Sequence, residues 1–212
     1  MLLCIPIYLR GVGMIDKNKP TVCGMGIVGY KYGVTNGDGI HCAEYVYWKS
    51  MLNRCNSKLY KSRRPTYEVC TISENFKHYE YFYEWCNKQI GFSVDDFQLD
   101  KDLLVKGNKI YSEETCLFLP KEVNTLLSVK KSQRGSCVIG VTFNKRESKF
   151  KSQMSKFGNK LSLGTYTTEI QAFNAYKLAK EAYLKEIAEK YKSQIDPRAY
   201  EALINYQVEI TD

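Results

Sequence analysis

Hydrophobic positions recur along the chain with two different periods, and the periods occupy different stretches. From about Cys42 onward, Tyr45, Trp48, Met51 and Leu52 return every three or four residues, the spacing that gives an α-helix one apolar face. A second helical stripe follows in SENFKHYEYFYEWC, where Ser73 is placed to cap and Phe76, Tyr79, Phe82 and Trp85/Cys86 share one side. An aromatic stripe at this period reads as core, with a base-stacking platform as the alternative. Beyond residue 137 the period shortens to two, predicting strands over 138–144, 149–155 and 160–166. One strand face collects Val141, Phe143, Phe150, Met154, Leu161 and Leu163. The other collects Thr142, Asn144, Lys149, Lys151, Gln153, Ser155, Lys160 and Ser162, each able to donate a hydrogen bond. Thr168-Glu-Ile-Gln171 then reads as a capping box opening a long helix, and Ala172, Ala175/Tyr176, Ala179 and Ala182/Tyr183 form a stripe that can lie close on the apolar strands.

Between the two patterns lies LDKDLLVKGNKIYSEETCLFLP, residues 99–120. It reads as an apolar residue, an acid, a polar hairpin closed on Gly107-Asn108-Lys109, and a short helix running on into Lys121 and beyond, a ββα finger. Upstream, residues 11–40 hold eight of the fourteen glycines. Within them Gly24-Met-Gly26-Ile-Val-Gly29 fits G-x-G-x-x-G, but Tyr30-Lys-Tyr-Gly-Val-Thr-Asn-Gly cannot form the helix that a dinucleotide pyrophosphate needs, so loops or short strands are expected. KKSQRGS, residues 130–136, is polar and basic and predicts a linker between a first domain, 1–129, and a second, 137–212. The fold class is therefore α+β: a finger domain with helices, then a three-stranded antiparallel sheet packed on a long helix.

Charge sharpens the picture. The formal net charge is +8, and residues 121–160 hold ten Lys/Arg against two acids, Glu122 and Glu147. Concentrated positive charge points to a polyanionic partner. The eight cysteines stand singly with no C-x-x-C pair, which argues against a zinc ribbon or a disulfide framework and for reduced thiols in a cytoplasmic protein. The first nine residues are apolar but lack a basic leader, and no stretch reaches the length of a membrane span, so no membrane partner is expected. Of the two histidines, His78 is expected on a helix surface, and His41 with Cys23 and Cys42 is a conceivable metal grouping.

The C-terminal segment GVTFNKRESKFKSQMSKFGNKLSLGTYTTEIQAFNAYKLAKEAY resembles the ethylene-response-factor (APETALA-type) DNA-binding domain. The resemblance is carried by Gly140, Val141, Phe150, Leu163, Gly164, Tyr166, Thr168, Ala172, Ala175 and Tyr176. It implies that Thr142, Asn144, Arg146, Gln153, Ser155, Lys160 and Ser162 contact bases and phosphates, with Lys145, Lys149 and Lys151 adding positive charge to the same front. Several positions that are Arg or Trp in the plant domains are smaller or uncharged here, so the sequence preference would differ.

Joined to YWKSMLNRC and the finger segment, this module resembles phage HNH homing endonuclease-like proteins over roughly residues 40–212. That resemblance implies duplex DNA as partner, Mg²⁺ or Mn²⁺ as cofactor, and the host cytoplasm as location. Asp100 falls where such nucleases place the metal-binding acid, Lys101 where they place the general-base histidine, and Asn108 in their Gly-Asn-Lys hairpin. Ser112 and Cys116 stand near positions usually held by Asn or His. A lysine titrates near 10.4 when unperturbed, so Lys101 suits phosphate binding better than base catalysis. Three readings follow: a metal-dependent endonuclease, a DNA-binding protein that has lost cleavage, or an effector whose aromatic, Gly-rich N-terminal half inhibits a host protein.

Overall fold

Helix α1 (Ala43–Asn56) buries Tyr45, Trp48, Met51, Leu52 and Cys55, the face its spacing predicts. The computed structural model describes residues 16–128, 135–156 and 158–212, and its architecture is mixed α+β with small sheets among six α-helices of the described residues. Against α1 lies α3 (Tyr79–Cys86), which is shorter than its stripe suggests. Residues Asn75–Lys77 form a separate 3₁₀ turn, and the chain is extended at His78. The cause is non-local: Ile27 donates to the Lys77 carbonyl at 2.9 Å and accepts from the Tyr79 amide at 2.8 Å, stretching the joint between the two pieces. Ser73 therefore caps the 3₁₀ turn, accepting from the Phe76 amide at 3.3 Å. The aromatic stripe still enters the core, with Phe76, Tyr79, Phe82 and Cys86 fully buried.

The Gly-rich segment packs on α1 as turns and isolated bridges. A side chain at Gly26 would put its Cβ 2.4 Å from Leu52 and 2.7 Å from the Trp48 ring, so glycine here permits close approach.

The finger does not form the local hairpin expected at Gly107-Asn108-Lys109. Strand β2 (Phe97–Asp100) pairs antiparallel with β4 (Leu117–Pro120), while β1 (Thr71–Ile72) pairs in parallel with β3 (Ile110–Tyr111). The helix expected before Pro120 is a turn at residues 113–115 followed by β4; α4 (Lys121–Leu127) starts only after the proline. All four residues of β4 are buried, and such a continuous apolar run suits a strand covered on both faces.

In the C-terminal half β5 (Val141–Asn144), β6 (Lys149–Lys156) and β7 (Asn159–Tyr166) form one antiparallel sheet in that order. Helix α5 (Glu169–Tyr191) opens on the expected capping box, Thr168 accepting from the Gln171 amide while Gln171 accepts from that of Thr168, both at 3.3 Å. It packs on the sheet and on α6 (Pro197–Ile204). Ala172, Phe173, Tyr176 and Tyr183 of α5 are buried, whereas Ala182 is exposed, so the contact line runs through the tyrosines as much as the alanines. Gly140, at φ +75°, lies so close to Tyr176 that a Cβ would sit 2.1 Å from the ring.

The two halves meet at α4. Glu122 accepts from Lys190 at 2.6 Å, Tyr191 at 2.8 Å and Tyr183 at 3.4 Å, and Lys180 donates to the Leu126 carbonyl. The linker expected at 130–136 falls mostly outside the described residues, as do the apolar first nine. Among the described residues no helix is long and apolar enough to cross a membrane.

Candidate nucleic-acid interface

Strand pairing sorts the sheet into rows. Thr142, Lys151 and Thr165 stand opposite one another across the three strands; Asn144 faces Lys149, Gln153 faces Ser162, and Ser155 faces Lys160. All are exposed except Asn144, which is half-buried. On the opposite side Val141, Ser152 and Met154 are buried and Phe150 and Leu163 are half-buried, so the period-two reading of the faces holds. Two members of the apolar set stay largely uncovered: Phe143 and Leu161 are 42% and 44% exposed, with the Phe143 ring 5.0 Å from that of Phe150.

Positive charge stands on this front with little to neutralise it. Lys145 and Arg146 are exposed in the turn after β5, where the Asn144 side chain accepts from the Arg146 amide at 3.2 Å. Lys151 lies 3.9 Å from Glu147, an exposed pair of small energetic weight. Among the described residues Lys145, Arg146, Lys149 and Lys160 make no ion pair, whereas Lys156 turns away to Glu186 at 2.5 Å. Gln153 reaches the Thr142 hydroxyl at 3.3 Å, leaving polar groups of both at the surface.

Sequence reasoning missed Thr165. A register shift between Ser152 and Gln153 inserts an extra residue in β7, so that Thr165 joins the outer face and Tyr166 pairs with Phe150. The local signal was Gly164, a lone glycine inside the strand at φ +121°, next to the extra residue.

The finger residues occupy a different setting. Asp100 is buried, and its Oδ2 accepts from the amides of Asp102 and Leu103, both at 2.8 Å. Burial raises its pKa above the usual carboxylate range, with Asp102 adding to the rise and the two amides opposing it. Lys101 is also buried, donating to Asp102 at 2.5 Å and to the Asn108 carbonyl at 3.0 Å, with Tyr111 and Tyr67 rings at 5.6 and 6.0 Å. Asn108 donates back to the carbonyls of Lys101 and Ile110 at 2.8 and 2.7 Å. Cys116 is buried and Ser112 bonds to Thr115.

These three residues therefore brace the loop between β2 and β3. They do not fit a divalent ion as a set, because Asp100 is engaged by backbone amides, its neighbour Asp102 holds Lys101, and among the described residues no three His, Cys, Asp or Glu side chains converge. His41 and His78 are both exposed, and Cys42 bonds the Tyr79 hydroxyl rather than joining His41. The described cysteines, Cys23 to Cys137, are free thiols.

Comparison with protein-family models, curated proteins and solved structures finds no match to the chain.

Proposed function

We propose that this chain binds duplex DNA through the outward face of β5, β6 and β7, as a protein built on the HNH homing endonuclease and APETALA-type pattern but without cleavage chemistry. The observation that carries the reading is the exposed row set of Thr142, Lys151, Gln153, Ser155, Lys160 and Ser162, flanked by Lys145, Arg146 and Lys149 and backed by α5. Lysine and arginine at such a front engage phosphates, while Thr, Ser, Asn and Gln side chains reach base edges. A β-ribbon is one of the shapes that the major groove admits. The loss of cleavage is supported by the positions of Asp100, Lys101 and Asn108, whose polar atoms hold the loop at residues 101–109. No metal-dependent step is derived, since those residues do not fit Mg²⁺ or Mn²⁺.

Fluorescence anisotropy with a labelled duplex tests the reading. Affinity is expected to fall steeply between about 50 and 200 mM salt, because each neutralised phosphate releases counterions. Lys149→Gln/Lys151→Gln/Lys160→Gln should weaken binding at least about tenfold and shrink the salt slope by roughly 3. Absence of binding by the parent, or a triple variant indistinguishable from it, overturns the proposal.

A further inference from the structure

The C-terminal front is not the only concentration of cations. Residues 49–70 hold Lys49, Arg54, Lys58, Lys61, Arg63 and Arg64 against a single acid, Glu68. Most of them gather on α2 (Lys58–Arg63) and its approach, and α2 buries none of its own residues. Its retention as a helix owes little to the core. Ser57 caps it, accepting from the Tyr60 amide at 3.2 Å, and the Tyr60 ring meets Tyr67 edge-on at 5.5 Å.

The charge there lacks internal partners. Among the described residues Arg54, Lys58, Lys61, Arg63 and Arg64 form no ion pair, whereas Lys31, Lys106 and Lys190 elsewhere each hold a carboxylate. Lys61 is fixed on the Glu68 backbone carbonyl at 2.9 Å, and Arg54 meets the Tyr111 hydroxyl at 3.3 Å and the Tyr67 ring at 6.0 Å. Lys58, Arg63 and Arg64 are exposed within seven residues of chain and make no ion pair among the described residues, and an external polyanion neutralises charge of that kind. Arginine's planar fork matches phosphate oxygens, and the exposed pair Arg63 and Arg64 offers two such forks, with Lys58 adding a point charge.

We infer that α2 and its flanks form a second nucleic-acid surface, one that grips the phosphodiester backbone without reading bases. The inference rests on the DNA reading above for its partner, and it gives the protein two separate holds on nucleic acid, one from each half. The surface contributes affinity and salt sensitivity, while sequence preference belongs to the sheet.

The test is Lys58→Gln/Arg63→Gln/Arg64→Gln, with the sheet triple variant beside it, titrated against a duplex of about 30 base pairs, roughly three helical turns. All three positions are exposed, so thermal unfolding should match the parent. The expected result is at least about a tenfold loss of affinity and a salt slope smaller by roughly 3, similar for matched and unrelated duplex sequences. If the sheet variant loses binding and the α2 variant keeps the parent's affinity and slope, the inference is overturned and the sheet reading stands. Loss only in the α2 variant supports the inference and overturns the sheet reading; a parent that binds no duplex overturns both.

Discussion

Lys101 and Asn108 hold each other across the loop that joins β2 to β3: the lysine ammonium donates to the Asn108 carbonyl at 3.0 Å, and the asparagine amide donates to the Lys101 carbonyl at 2.8 Å. A reciprocal pair of this kind stabilises a loop and leaves neither side chain free for a substrate. Asn108→Ala removes the bonds to Lys101 and Ile110 and should destabilise the protein by about 1–3 kcal/mol in urea unfolding. DNA affinity of the folded variant should equal the parent's. A variant of unchanged stability that no longer bound DNA would place Asn108 in the interface instead.

Asp100 makes a sharper contrast. Its carboxylate oxygen accepts two backbone amides, a task that a carboxamide oxygen also performs. Because burial holds its pKa up, the ionised form is disfavoured in the fold, and the stability this group favours is fully present below the unfolded carboxyl value, near 3.9, and is lost as pH rises through the raised folded one. Asp100→Asn is expected to fold at neutral pH with stability equal to or above the parent's. Supercoiled plasmid incubated with Mg²⁺ or Mn²⁺ should remain intact with both proteins. Nicking by the parent that Asp100→Asn abolishes would restore the endonuclease reading.

Glu122 ties α4 to α5. Burial alone would raise its pKa, but hydrogen bonds from Lys190, Tyr191 and Tyr183 outweigh this and hold it below the ordinary glutamate range. A depressed carboxylate stabilises the fold above the unfolded value, near 4.3, and loses that contribution as pH falls through the folded one. Glu122→Gln should cost about 1 kcal/mol at pH 7, and the difference from the parent should shrink in acid unfolding as pH falls from about 4.3 through the lowered folded value. A gap that stayed constant with pH would show that charge is not what joins the two helices.

Ser152 sits on the packed side of the sheet, opposite Val141 and Gly164, wholly buried and with no hydrogen-bond partner for its hydroxyl among the described residues. Leaving a hydroxyl dry and unpaired costs about 1–3 kcal/mol. Ser152→Ala is expected to be neutral or to raise the unfolding midpoint, without change in DNA affinity. Clear destabilisation would mean that the hydroxyl has a partner in solution.

Features set by short-range pattern were legible in the sequence. The buried face of α1 followed from the spacing of Tyr45 and Trp48, the two sides of the β5–β7 sheet from alternation, and the start of α5 from Thr168 and Gln171. What escaped depended on distant chain. α3 starts at Tyr79 rather than just after Ser73 because Ile27 bridges to His78, fifty-one positions later. The finger was misjudged for the same reason: β2 takes β4 as its partner, and β3 takes β1, pairings that no local motif specifies. Thr165 joined the outward face through a bulge, and the cations of α2 stood out only once the ion pairs of the described residues were visible in three dimensions.

The outward face of the sheet is tested most directly by titrating ¹⁵N-labelled protein with a short duplex and mapping amide shift changes. The largest changes should fall on Thr142, Lys151, Gln153, Lys160, Ser162 and Thr165, and be small at Leu184 and Ile187 on the covered side of α5. Shifts absent from β5, β6 and β7 while others move, or no shifts at all under low salt, would contradict the account.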